Sequence, residues 1–344
     1  MRTFALQILM GIASGTSAQV SVDSCYERAY AEISGMLEGS TPSSCKRAVY
    51  LVENAYFNDE LDRAAFEQAI QGLASIAQAW AIANPQLGYR GNDPVEFARS
   101  AAVFHLMTDT VFVAPGIPLS LPLKYDTVDF FALHDWTKMF VTKLLITSSG
   151  NCHSMPLLYK MLCDELGTKA YLALAPNHMY IKQHSAEVGW YNTELTSASF
   201  PSDAWLMASG YVSTDAIRSG IYMDTLSAAG MLALCLVDLA QGYHMKYPNG
   251  DRDFELRCCD LALKHYPQCV SALLLKVEAL DNTAAASDAE VSPEISKILK
   301  QLVQIGYREI PLGVYLQWLG ELVEYPDRYA NPMLNKVSLT QPRP

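Results

Sequence analysis

Three residues near the middle of the chain, Cys152, His178 and Glu194, are of types that act together in amide chemistry. A cysteine attacks a carbonyl as its thiolate, and an imidazole takes the thiol proton and later hands it to the leaving amine. A carboxylate on the second ring nitrogen fixes the tautomer and stabilises the imidazolium. Cys152 follows the turn Ser148-Ser149-Gly150-Asn151 and precedes Leu157, Leu158, Met161, Leu162 and Leu166, a helical stripe closed by Gly167. A thiol at a helix start is favoured as thiolate by the orphan N–H groups and the helix dipole. Pro156 lacks the N–H that would bond the carbonyl of residue 152, which predicts a later helix start or a kink.

His178 heads the apolar run Met179-Tyr180-Ile181, and a second run, Trp190 to Thr196, follows the polar link Gln183 to Gly189. If the two pair antiparallel around a turn centred near Ala186, residue 178 lies opposite residue 194, and cross-strand partners share a face. Asn192 replaces Glu194 if the register shifts by two. His153 reads as solvated or locally paired, Cys163 as core and His184 as solvated. Trp136, Trp190 and Trp205 read as packing residues rather than groove walls. A metal site built from Cys152, His153 and His178 is a further alternative. No CxxC or HxxxH spacing supports zinc, so the reading assigns no metal and no cofactor.

These residues need a frame. Residues 22 to about 106 read as helices, with Phe66, Ile70, Leu73, Ala77 and Trp80 forming one apolar stripe. Val111 to Val128 is rich in β-branched residues and proline and reads as extended chain with turns. A helix is expected from about Phe130 to Ile146, then the Cys152 helix and a meander of strands, so the core is α+β. Beyond 226 the chain returns to helices. The stripes Leu236, Leu239, Ala240, Tyr243 and Cys259, Ala262, Tyr266 resemble a tetratricopeptide pair. A polar linker, Asp281 to Ser292, two more helical stretches and a proline-containing tail from Tyr325 complete it.

Gly150-Asn151-Cys152, Asp164-Glu165-Leu166-Gly167, Asn177-His178-Met179-Tyr180 and Trp190 to Thr196 together resemble the transglutaminase-like core, most of all bacterial members with a tetratricopeptide-like C-terminal region. The resemblance covers roughly 130 to 215 and loosely the tail. It implies a papain-like fold and a Cys-His-acid triad whose thioester passes its acyl group to water or an amine. Glu194 stands where that family more often has Asp. The expected organisation is a leader at 1–18, a transglutaminase-like core with N-terminal helices at 19–225 and a helical region at 226–344. The expected function is an exported cysteine hydrolase or acyltransferase acting on a peptide or protein substrate. The alternative is a non-catalytic envelope protein that binds a peptide or protein partner through the core and the C-terminal helices.

Composition bounds these readings. At 344 residues the chain is long enough for roughly two domains. Half its residues are apolar and 18% charged, which suits a packed core. No apolar run is long enough for a transmembrane helix. A net charge of −11, with no basic cluster, excludes nucleic acid as the main partner. Arg2, the apolar stretch Phe4 to Ile12 and Thr16-Ser17-Ala18 read as an export signal, giving a periplasmic or secreted protein. In such a compartment Cys25 and Cys45, flanking the turn Gly39 to Ser44, are expected to form a disulfide, with a second bridge among Cys258, Cys259 and Cys269.

Overall fold

The computed structural model of the chain describes residues 22–84, 89–114, 116–209, 211–250, 252–284 and 292–325. The leader read at 1–18 and the tail after Tyr325 lie outside the described residues. The chain opens with helices α1 (Val22–Leu37), α2 (Cys45–Tyr56), α3 (Arg63–Ala83) and α4 (Pro94–Thr108). Ser44 starts α2 by accepting the Arg47 N–H on its hydroxyl at 3.2 Å. Pro94 starts α4 in the one turn where its missing N–H costs no helical bond. On α3, Phe66, Ile70 and Ala77 of the expected stripe are buried, while Leu73 and Trp80 are partly exposed.

The stretch read as extended forms β1 (Val111–Ala114), β2 (Ile117–Ser120) and β3 (Lys124–Tyr125). The helix expected from Phe130 is shorter: a 3-10 turn at Trp136–Met139 precedes α5 (Val141–Thr147). Asp129 is the reason. Its carboxylate accepts the N–H groups of Leu133, His134 and Asp135 at 2.9–3.0 Å, which holds this stretch in a loop instead of a helix. Then come β4 (Ser149–Gly150), α6 (Ser154–Glu165), β5 (Tyr171–Ala175), β6 (His178–Ser185), β7 (Gly189–Thr193), α7 (Asp203–Ser209) and α8 (Thr214–Ser219). The last are α9 (Ala228–Lys246), α10 (Asp253–His265), α11 (Val270–Ala284), α12 (Pro293–Gln304) and α13 (Leu312–Glu324). The architecture is mixed α+β, with an N-terminal helical region, a central strand region and a C-terminal all-α, repeat-like region.

Two compact units emerge. Among the described residues the first takes in residues 22–66, then Ser213–Ile221 and Leu226–Arg308. Here α9, buried along most of its length, packs on α1, α2 and α10, and α10, α11 and α12 each pack on the helix before. Tyr26 meets Tyr243 and Phe254 edge to face, with ring centroids 5.2 and 5.8 Å apart.

This unit corrects the disulfide expectation. All eight cysteines are free thiols, so neither the Cys25–Cys45 bridge nor one among Cys258, Cys259 and Cys269 exists. The two cysteines flank the turn in sequence only. Cys45 is the first residue of α2, whereas Cys25 sits near the start of α1, so most of that helix separates it from the turn. At about 1.5 Å per residue this is far beyond the reach of a disulfide.

Among the described residues the second unit comprises Glu67–Val212, Tyr222–Thr225 and residues 309–325. Its sheet runs β5-β6-β7, antiparallel throughout, with α6 packed on β5 and β6 and α4 packed on α6. β3 pairs parallel with β4, placing Tyr125 opposite Gly150. The helix α13 buries Tyr315, Trp318, Leu319 and Leu322, a stripe at steps of three, one and three.

Between β6 and β7 the observed register differs from the expected one. Ser185 pairs with Gly189 and Ile181 with Thr193, so the turn centres on Glu187 rather than Ala186. Gly189 has φ of 79°, the left-handed residue that a three-residue hairpin loop needs. Continued past the paired residues, this register sets Tyr180 opposite Glu194, two residues beyond His178. A slip of two leaves every side chain on its own face.

Candidate active site

The site is built around the start of α6. A side chain at Gly150 would force its neighbours to shift, because a Cβ would lie 2.7 Å from Ser154 Oγ and 3.0 Å from Leu144 Cδ1. Asn151, fully buried, fixes the chain on both sides of Cys152. Its Oδ1 accepts the N–H groups of His153 and Ser154, both at 3.0 Å, and its Nδ2 donates to the Phe130 carbonyl at 3.0 Å. The Ser154 hydroxyl in turn accepts the Asn151 N–H at 3.1 Å. Pro156 gives the later helix start expected of it, since α6 begins at Ser154, two residues after Cys152. It falls in the first turn of α6, where N–H groups have no intrahelical acceptor.

Cys152 is half-buried, and its backbone N–H has no acceptor among the described residues. Its Sγ lies 4.0 Å from the Asn177 carbonyl and 4.0 Å from Tyr315 Oη. Asn177, with φ of 54°, is the second residue of the tight Pro176-Asn177 turn joining β5 to β6. That turn delivers His178 as the first residue of β6.

His178 and Glu194 are both sealed from solvent, and Nε2 donates to Glu194 Oε2 at 2.6 Å. The other carboxylate oxygen accepts the Thr196 N–H at 2.9 Å and the Thr196 hydroxyl at 2.7 Å. Diagonal neighbours on one face sit roughly 7–8 Å apart at Cα, within reach of a long side chain. The extra methylene of Glu over Asp supplies that reach. Asn192, the alternative acid-side partner, points elsewhere: its Nδ2 donates to the Pro201 carbonyl at 3.0 Å and to Asp203 at 2.8 Å.

Electrostatics follow from this geometry. Burial pushes the Cys152 thiol up, but the adjacent His178 imidazole outweighs it, and the thiol lies below its ordinary range. Burial pushes His178 down, yet the Glu194 carboxylate and Cys152 carry it well above the ordinary imidazole value. Glu194, raised by burial and lowered more by His178 and Thr196, stays below the usual carboxylate value. All three shifts favour a thiolate–imidazolium pair braced by a carboxylate. With Nε2 committed to Glu194, Nδ1, which has no hydrogen-bond partner, is the nitrogen left to serve the thiol.

An aromatic wall surrounds the pair. Trp318 meets the His178 ring edge to face at 4.7 Å and stacks on Trp205 at 5.8 Å. Tyr315 packs on Phe131 at 5.2 Å. Of the other residues singled out from the sequence, His153 turns its Nδ1 to the Met139 carbonyl at 3.1 Å. Cys163 is buried in the core, and His184 is exposed beside half-exposed Trp190. Among the described residues no group of three His, Cys, Asp or Glu side chains is arranged to hold a metal ion.

Sequence reasoning assigned no role to Asn151, Thr196, Tyr315 or Trp318. Asn151 and Thr196 flank the chosen residues closely, and their capping chemistry is a local signal. Tyr315 and Trp318 lie far along the chain, with no local signal linking them to Cys152. No protein-family model matches the chain, and neither a curated protein nor a solved structure is similar to it.

Proposed function

We propose that the protein is a cysteine hydrolase or acyltransferase of the transglutaminase-like type, acting on a peptide or protein amide. The observation that supports this best is the sealed 2.6 Å His178–Glu194 contact beside a half-buried thiol of lowered pKa. In this reading the Cys152 thiolate attacks the carbonyl carbon, and the C=O electron pair moves onto oxygen. Collapse of that intermediate re-forms the carbonyl and breaks the C–N bond, with His178 Nδ1 giving its proton to the departing amine. Water or an amine then attacks the thioester, His178 takes the proton, and the thiolate leaves. Glu194 holds the ring and stabilises the imidazolium throughout. No cofactor enters these steps.

Export belongs to the same proposal, supported by Arg2, the short apolar run and Ala18. Among the described residues no helix is long and apolar enough to cross a membrane. Seven of the eight cysteines are buried, so an oxidising compartment would meet only Cys152. A partner-binding role for the C-terminal helices draws support from Leu299 and Val303 of α12, which are exposed at 44% and 76%. The test is release of p-nitroaniline from a panel of peptide p-nitroanilides. The proposal expects release by wild type and none by Cys152→Ala or Cys152→Ser. Equal release by Cys152→Ala protein overturns it.

A further inference from the structure

A thioester mechanism needs two donors for the developing oxyanion, and so far only the Cys152 N–H is in hand. A buried polar atom without a partner normally costs stability, so each one calls for an explanation. Among the described residues such atoms include His178 Nδ1 and Tyr125 Oη, both on side chains that face Cys152, and Trp318 Nε1, on the ring that meets His178. The mechanism above uses the first. We propose that the second, the Tyr125 hydroxyl, is the other oxyanion donor, acting with the Cys152 N–H on the carbonyl oxygen of the acyl group. This rests on Cys152 being the nucleophile.

The placement of Tyr125 is rigid and local. β3 is tied to the chain leading into Cys152 by Lys124 N–H to the Ser148 carbonyl at 2.9 Å and Asp126 N–H to the Gly150 carbonyl at 2.7 Å. Tyr125 thereby sits opposite Gly150, two residues before the nucleophile. Its ring lies 6.5 Å from that of Phe130, whose carbonyl holds Asn151, so one loop braces the donor and the nucleophile's cap. The neighbouring carboxylates are already paired: Asp126 with Lys138 at 2.8 Å and Lys143 at 2.5 Å, and Glu194 with His178 at 2.6 Å. Burial, and after it the charge on Cys152, hold the phenol far above its ordinary pKa, so it remains a neutral donor. Both tyrosines face the sulfur, but Tyr315 Oη is within 4.0 Å of Sγ, whereas the Tyr125 hydroxyl makes no hydrogen bond of ordinary geometry and is left for the oxyanion. Trp318 edges the imidazole.

In the step assigned to it, Sγ forms a bond to the acyl carbon while the C=O π pair becomes the oxyanion lone pair. Tyr125 donates a hydrogen bond to that oxygen without giving up its proton, and the bond loosens when the carbonyl re-forms.

The experiment compares two reactions of Cys152 in the full chain, read by intact mass and peptide mapping. Acylation by p-nitrophenyl acetate passes through an oxyanion, whereas alkylation by iodoacetamide is a displacement at carbon that does not. Tyr125→Phe is expected to slow acylation roughly 100- to 1,000-fold while alkylation changes by less than about threefold. Because the lost hydroxyl was buried and unpartnered, the variant is expected to melt at or above the wild-type temperature, which a structural role for the hydroxyl would not give. Acylation of Tyr125→Phe at the wild-type rate, or an equal fall in both reactions, overturns the assignment while leaving Cys152 as nucleophile. A wild-type Cys152 unreactive to both reagents overturns the nucleophile itself, and the assignment with it.

Discussion

Glu194 does two things with its two carboxylate oxygens: one orients His178, and the other is held by Thr196. Removing its charge while keeping its shape separates orientation from electrostatics. In Glu194→Gln the largest upward pull on the His178 pKa disappears and burial still pushes it down, so the imidazolium loses its proton at lower pH. Turnover is therefore expected to fall less than on loss of Cys152, with the upper limb of the pH–rate profile displaced to lower pH. An unmoved upper limb would show that Glu194 does not set the charge state of His178. Cysteine, histidine and acid could be read in the sequence because their types and order restrict the chemistry. Asn192 could not be told from Glu194 until the hairpin register was known.

At the scale of elements, the nucleophile depends on how α6 begins. Asn151 satisfies two helix-start N–H groups and ties them to the Phe130 loop, so Asn151→Ala leaves two donors and one carbonyl short of partners. A loss of about 2–3 kcal/mol in unfolding free energy is expected from urea titration. A loss below about 0.5 kcal/mol, the range of ordinary surface changes, would contradict the capping role. Periodicity made α6 and the strands β5 to β7 legible. It overestimated the helix before them, because the Asp129 carboxylate captures three N–H groups, an event with no periodic signature. The turn at Glu187 was missed because Gln183 to Ser185 is polar yet belongs to β6. That α13 joins the strand-bearing unit was also hidden, since its stripe shows that it packs but not on what.

For the whole molecule, the eight thiols decide between a stapled exported fold and one held by packing alone. Sequence proximity suggested the staple; the length of α1 forbids it. The melting temperature is expected to be the same with and without reductant, whereas a native disulfide would contribute about 2–4 kcal/mol and give a clear shift on reduction. The same thiols provide the most direct test of the central claim, that Cys152 is a thiolate nucleophile supported by His178. Native protein is treated with iodoacetamide across a pH series, and each cysteine is scored by peptide mass. The account predicts that Cys152 is labelled first, with an inflection below the ordinary thiol range. In His178→Ala that inflection moves above the range, because burial and the Glu194 charge then act on the thiol without the imidazole. Labelling of another cysteine first, or a Cys152 inflection at the free-thiol value in both proteins, would contradict it.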